Sequence, residues 1–453
     1  MNMTMPYATL LGDPKRPPFN HDYHQMCTYY IGAVAQPYKP MSTPESALEH
    51  VKTVQQLTRG IRQQVWLGGW QHRGSDTGYP DWSEVCPIYK RPQDATAGDS
   101  LMWLMREARN YNAVMTVHVN MCDAYPDSPL WETYVKEGLI CQLKDGSFKK
   151  AGVWEGLQSY HVCKSREWAS GYLKRRMDGL LDLLPPILEN GTVHVDVFNM
   201  HPSEYHGTTW EEERDAMVEI LKYWKARGVD QTGEWFFHEW AGLMPMAWHF
   251  NLGEQSRLKY PPWYVCGGGS NWNKRHIRND ITYPWLGVFA TPEAGCLYEE
   301  AWGESNDAAG PHDLPAFADG FYRKTLPWYF LNRQRAVELR HSRESYAVHF
   351  TGDVVSSVRI ADRHYTLHQG DRVLVDGTNT FVPALWRDKE IIAYSKTGSR
   401  REWELPPDWN SVRHVAVRGL WPLNTARTEE LNVTNGRLVL TLQPGEAVYI
   451  EPV

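Results

Sequence analysis

Thr192-Val-His-Val-Asp-Val-Phe-Asn-Met-His-Pro-Ser-Glu-Tyr205 is the stretch on which the fold turns. Val193, Val195 and Val197 are β-branched and alternate, and Asn190-Gly191 ahead of them is turn chemistry, so the segment reads as a short strand ended by Pro202 and Ser203. Asp196 sits near its C-terminal end, in a run too apolar for an ordinary surface aspartate. A charge in such a place has to be paired, hydrogen-bonded or used. In a barrel or a doubly wound sheet the C-terminal strand ends are where sites form.

Outward from this strand, strand and helix alternate. CTYYIGAV (27–34) reads as a first strand and residues 44–59 as a helix with Pro44 at its first position. QVWLGGWQ (64–71) reads as a second strand running into a Gly-rich loop, and 99–111 as an amphipathic helix. AVMTVHVN (113–120) is a third strand ending in polar groups, and 126–165 is a functional loop or a small hairpin subdomain. A helix at 166–184 leads into the opening strand, and 209–227 is a charged helix with acids early and bases late. A strand at 229–237 follows, with weaker strand candidates at 262–266, 284–290 and 295–299. This alternation implies parallel βα units, and their number favours a (β/α)8 TIM-type barrel over residues 1–342. From about residue 345 short strands such as YAVHF, VVSSVRI, RLVLTL and EAVYIE are separated by turn residues, which implies a C-terminal antiparallel β-sandwich over 343–453, an accessory domain.

Composition narrows the function. The 453 residues carry a net charge of −7 with Lys and Arg scattered, which gives no footprint for nucleic acid or an anionic membrane. No apolar run is long enough to span a bilayer. Seven widely spaced cysteines without a CxxC pair argue against a disulfide framework or a thiolate zinc site. The N-terminal MNMTMPYATLLGDPKRPP has no basic region ahead of an apolar core. The expectation is a cytoplasmic protein, or a secreted one whose signal has been trimmed. The 21 Trp and 24 Tyr cluster beside Gly, Pro, Asn and His, as they do where sugar rings stack on aromatic faces.

Glycosidic bond cleavage needs two carboxyl groups flanking the bond, one to protonate the leaving oxygen and one as nucleophile or base. Asp196 is five residues past Gly191, and Glu234 is six past Gly228 on the next strand, a comparable level. Glu239 lies further on, where strand should have become loop, so strand length favours Glu234. A lone Asp at a strand end is more often a helix cap or an ion-pair partner than a nucleophile, and either glutamate alone could be a salt-bridged structural acid; carboxylates at one level on adjacent strands carry more weight. Histidine pairs such as His21/His24, His201/His206 and His238/His249 lack a metal-site arrangement, so neither a metal nor a cofactor is expected, apart from a structural Ca²⁺ as an option in the acidic loop 299–307.

QHRGSDTGYPD (71–81), VHVN leading to AYPDS (117–128), HVDVF (194–198) and RGVDQTGEW (227–235) together resemble the endo-α-N-acetylgalactosaminidases and their exo-acting relatives, glycoside hydrolase families 101 and 129. The resemblance covers residues 60–300. It implies Asp196 as nucleophile, Glu234 as acid/base, Asp76 gripping sugar hydroxyls, and His118 and Asn120 at the floor of the site. It also implies a retaining reaction on α-linked N-acetylgalactosamine, as on mucin-type O-glycans, with a carbohydrate as the only partner. Trp70, His72, Tyr125, Trp235 and Trp272 are further candidates for substrate contact. The chain departs from the pattern in carrying Gly-Ser-Asp where many relatives have Gly-His-Asp, and in starting almost at the barrel. The alternatives are a carbohydrate-binding barrel without turnover, an α-glycosidase for another hexose, and an inverting hydrolase. Oligomeric state is not assigned.

Overall fold

The computed structural model describes residues 17–75, 77–154, 156–249, 258–268, 314–359, 361–362 and 364–453. Among the described residues a parallel sheet of seven strands forms the centre: β1 (Cys27–Gly32), β2 (Gln63–Gly68), β3 (Ala113–Asn120), β4 (Thr192–Asp196), β5 (Asp230–Trp235), β6 (Met246–His249) and β7 (Cys266–Gly268). They lie in the sheet in chain order, every neighbouring pair parallel. Sequential order without a reversal is the topology of a barrel wall, not of a doubly wound sheet. The described residues make a curled half-barrel. The strand candidates at 284–290 and 295–299 lie outside the described residues.

The crossovers follow local chemistry. Helix α1 (Pro44–Leu57) starts with Pro44 behind a Thr43–Ser46 capping box. Helix α2 (Ala97–Glu107) is capped by Thr96 and Asp99, two residues earlier than periodicity alone suggests. The helix expected at 166–184 is two, α3 (Lys164–Ser170) and α4 (Tyr172–Leu183), parted by Gly171 at φ +77°. Pro186 then starts a short helix α5 (Pro186–Asn190), because proline is tolerated in a first turn. Helix α6 (Trp210–Ala226) has the Thr209–Glu212 box. The strand expected at 262–266 begins only at Cys266: Pro261 and Pro262 cannot donate to a ladder, and the chain turns there with Tyr264 N donating to Pro261 O at 2.9 Å.

The excursion after β3 is a hairpin subdomain. Strands Asp123–Ala124, Lys150–Trp154 and Leu157–His161 form an antiparallel sheet, which with helix Trp131–Lys136 encloses a small core of Ala124, Tyr134, Leu139, Ile140 and Val162. At the opposite end of the parallel strands the N-terminal segment seals the sheet. Asn20 N donates to Asp230 Oδ2 at 2.6 Å, the Asn20 side chain to Gly191 O and Gly228 O, and Tyr23 Oη to Asp230.

The C-terminal part is antiparallel. Ten strands from Ala336–His341 to Glu446–Pro452 form one sheet, and the pair Ser399–Glu404/Arg437–Leu442 packs on it through Phe381, Trp403, Leu438 and Leu440. Arg437–Leu442 alternates exposed and buried at every residue, as expected for a strand with one wet face. This sheet is locked to α1 by an ion pair: Arg59 Nε and Nη2 reach Glu390 at 2.9 and 2.8 Å, and Glu390 is only 3% exposed. The Trp386 indole also donates to Thr58 O and Arg59 O. Replacing Glu390 by Ala should cost about 2–3 kcal/mol in urea unfolding, less than the ~3–5 kcal/mol of a fully buried pair, since Arg59 keeps a path to water. A midpoint unchanged from wild type would show that the pair does not hold the sheet.

Candidate active site

Register stacks the inward side chains in layers, the arrangement of a barrel interior. The lower layer is Tyr30, Trp66, Thr116, Thr192 and Asp230. Above it lie Gly32, Gly68, His118, His194 and Thr232. Gly68 is needed there: a Cβ would fall 1.8 Å from the Tyr30 hydroxyl, which occupies the space. The top layer, at the C-terminal strand ends, is Asn120, Asp196 and Glu234. Asn120 pairs with Asp196, and the Val195–Gly233 pair sets Glu234 level with Asp196.

Asp196 Oδ2 accepts from Asn120 Nδ2 at 3.2 Å, and its Oδ1 lies 3.7 Å from His118 Nε2. Glu234 Oε2 accepts from the backbone N–H of Val197 at 3.3 Å. Val197 is at φ +41°, a costly conformation for a β-branched residue, and its peptide joins the two acids' strands at their upper ends. Beneath them His118 stands 5.4 Å from the His194 ring, which stacks on Trp66 at 3.6 Å and bonds Thr232 Oγ1. Asp123 lies behind Asn120, bonded to its Nδ2 at 2.9 Å.

Burial decides the charge states around the acids. It pushes His118 down to about 4, against the opposing pull of Glu234. His118 is therefore a neutral imidazole at physiological pH, and its approach to Asp196 is not an ion pair. Burial raises Asp123 to about 6, although Asn120 and Lys164 pull it down. Because His118 binds its proton less tightly folded than unfolded, its contribution to stability is full above its ordinary 6.5 and is lost as pH falls from there through about 4. An NMR titration should find this ring neutral at pH 5.5; a midpoint near 6.5 would contradict the burial argument.

The two glutamate candidates separate by environment. The charge of Glu234 acts on His118 and Asp123, whereas that of Glu239, on the turn His238–Trp240, acts on His238 and Tyr260. His118, Asn120, Asp196 and Glu234 are thus brought together. Trp70, His72 and Tyr125 each find partners of their own. The Trp70 indole is buried and donates to His118 O at 2.9 Å. His72 bridges Asp81 and Glu84 at 3.0 Å each; burial alone would lower its pKa, but the two carboxylates outweigh it and raise it. Tyr125 is buried beside Tyr79. Trp235, half-buried, follows Glu234 on the alternate face of β5. Asp76, Trp272 and the acidic loop 299–307 lie outside the described residues. Sequence reasoning placed Asp123 among the polar residues ending β3 without giving it a part in the site, since nothing in its neighbours signals that it folds back under Asn120. Among the described residues no group of three or more His, Cys, Asp or Glu is arranged to hold a metal ion, and no helix is long and apolar enough to cross a membrane.

Residues 22–257, just over half of the chain, match the family profile of the endo-α-N-acetylgalactosaminidases. A protein of Renibacterium salmoninarum that carries the provisional name endo-α-N-acetylgalactosaminidase is 23% identical over 428 residues, covering 89% of this chain and 24% of its own length. Among solved structures, the Bifidobacterium bifidum α-N-acetylgalactosaminidase NagBb in complex with GalNAc superposes with a TM-score of 0.56 at 14% identity, over 77% of this chain and 58% of its own. Its complex with Gal-NHAc-DNJ gives 0.55 at 15% identity, over 78% and 59%. The chain therefore spans about a quarter of the Renibacterium protein and under three fifths of the Bifidobacterium one.

Proposed function

The chain belongs to glycoside hydrolase family 101, the endo-α-N-acetylgalactosaminidases, and from that premise we propose that it cleaves α-linked N-acetylgalactosamine from small glycosides or glycopeptides with retention of configuration. Asp196 is the nucleophile and Glu234 the acid/base. The observation that carries this reading is the level placement of the two acids at the C-terminal ends of adjacent parallel strands. Neighbouring strands run about 4.8 Å apart, which suits the ~5–5.5 Å carboxyl separation of direct attack better than the ~6.5–9.5 Å gap that houses a water in inversion.

In the first step Glu234 gives its proton to the leaving oxygen while Asp196 forms a bond to the anomeric carbon from the opposite side. Water then attacks the glycosyl-enzyme ester, with Glu234 taking back a proton. The neutral His118 adds no cation that would blunt Asp196 as a nucleophile. The seven-strand half-barrel is read as part of a (β/α)8 barrel over residues 1–342, with 343–453 as an accessory unit, whose sheet also takes in the strand Ala336–His341 that lies before that boundary.

The test is release of the aryl group from aryl α-N-acetylgalactosaminide against aryl α-galactoside and α-glucoside. Turnover of the first, faster than the others, is expected. Preference for a plain hexose would move the substrate, and no release from any of the three would overturn the reading.

A further inference from the structure

Asn120 is fully buried, yet it stands in the top layer of the sheet beside Asp196. A side-chain amide offers two N–H donors and two lone pairs on its oxygen. Here Oδ1 accepts from Cys122 N at 2.7 Å and Asp123 N at 2.8 Å, while Nδ2 donates to Asp123 Oδ2 at 2.9 Å and Asp196 Oδ2 at 3.2 Å. All four positions are spent inside the protein. The orientation is also determined: a flipped amide would aim its NH2 at two backbone N–H donors and its oxygen at two carboxyl groups. Asp123, 4% exposed, closes the clasp by taking one amide proton and giving its own N–H back to the same side chain. Lys164, fully buried, offsets the charge of Asp123 from behind.

We infer that Asn120 is a positioning residue for Asp196 and not a sugar contact, with Asp123 as the group that holds it. The inference rests on Asp196 being the nucleophile. An amide N–H fixed on a carboxylate oxygen favours the ionised form and holds the group in one rotamer. A residue with no donor or acceptor to spare has nothing to offer a hydroxyl or an N-acetyl group, so its removal should be felt in chemistry and not in binding.

Asn120→Ala and Asp123→Ala test this, with turnover of aryl α-N-acetylgalactosaminide and calorimetric binding of N-acetylgalactosamine measured on the full chain. For Asn120→Ala, kcat should fall about 100-fold, the scale of losing one fixed donor. The Kd for the sugar should stay within about 3-fold of wild type, and the acid limb of the kcat/KM profile should move to higher pH. Asp123→Ala should show the same pattern at about 10-fold in kcat, and it reads the role even where Asn120→Ala does not fold. Sugar binding weakened about 10-fold or more, with kcat and the acid limb in place, would make Asn120 a sugar contact and overturn the inference alone. A wild type that releases no aryl group from any glycoside would take down the function and this inference together.

Discussion

Asp196→Asn should lower kcat by about 10⁴-fold or more on aryl α-N-acetylgalactosaminide, the scale seen when a covalent nucleophile is removed. The substitution is isosteric. An asparagine there can turn its oxygen to the Asn120 amide, so the bond that holds the position survives. His118 is neutral, so the lost charge does not strand it as a cation. Folding and sugar affinity should therefore stay close to wild type, and calorimetry with N-acetylgalactosamine checks the second. Residual turnover above about 1% of wild type would remove Asp196 from the nucleophile's role. Unchanged sugar binding by a wild type without turnover would make the chain a binding protein.

Glu234→Gln separates protonation from attack. With a poor leaving group such as an alkyl alcohol, loss of the acid should cost about 10²–10⁴-fold in kcat/KM. A dinitrophenyl leaving group departs without a proton, so its first step should be nearly untouched. The second step then lacks its base, and a burst of dinitrophenolate followed by slow steady release is the expected trace. Glu239→Gln serves as the comparison, because the charge of Glu239 is felt at His238 and Tyr260, whereas that of Glu234 is felt at His118 and Asp123. Equal losses on both leaving groups for Glu234→Gln, or the leaving-group pattern appearing in Glu239→Gln instead, would reassign the acid.

Much of this candidate site is legible in the sequence. Alternating valines placed Asp196 at a strand end, and counting from Gly191 and Gly228 placed Glu234 at the same level, which the Val195–Gly233 register reproduces. Parallel register preserves level from strand to strand, so distance along the sequence translates directly into height in the sheet. What sequence could not supply was anything that depends on which neighbour a polar group finds. Asn120 reads as a residue of the sugar site, with no sign in the sequence of its four hydrogen bonds, three of them to Cys122 and Asp123 where the chain doubles back after β3. His72, in a loop rich in glycine, gives no sign that Asp81 and Glu84 take its two ring nitrogens. The prolines act in two ways: Pro186 begins a short helix between α4 and β4, and Pro261-Pro262 delays β7 where the sequence reads as strand. Proline fixes its own φ and removes a donor, but whether that starts or stops an element depends on position.

The seal formed by Asn20 and Tyr23 at the lower end of β4 and β5 has a consequence for how the chain folds during synthesis. Asn20 waits for Asp230, 210 residues later, and for Gly228 and Gly191, 208 and 171 residues later. At ribosomal speeds of about 5–20 residues per second, that is roughly 10–40 s in which the N-terminal segment has left the exit tunnel and its docking site has not. Throughout that interval Phe19 and Tyr23, both buried in the finished molecule, lack Lys225 and Asp230, which they lie against there. This first segment is where a chaperone that captures apolar peptides would be expected to hold the nascent chain, letting go only when β5 is made.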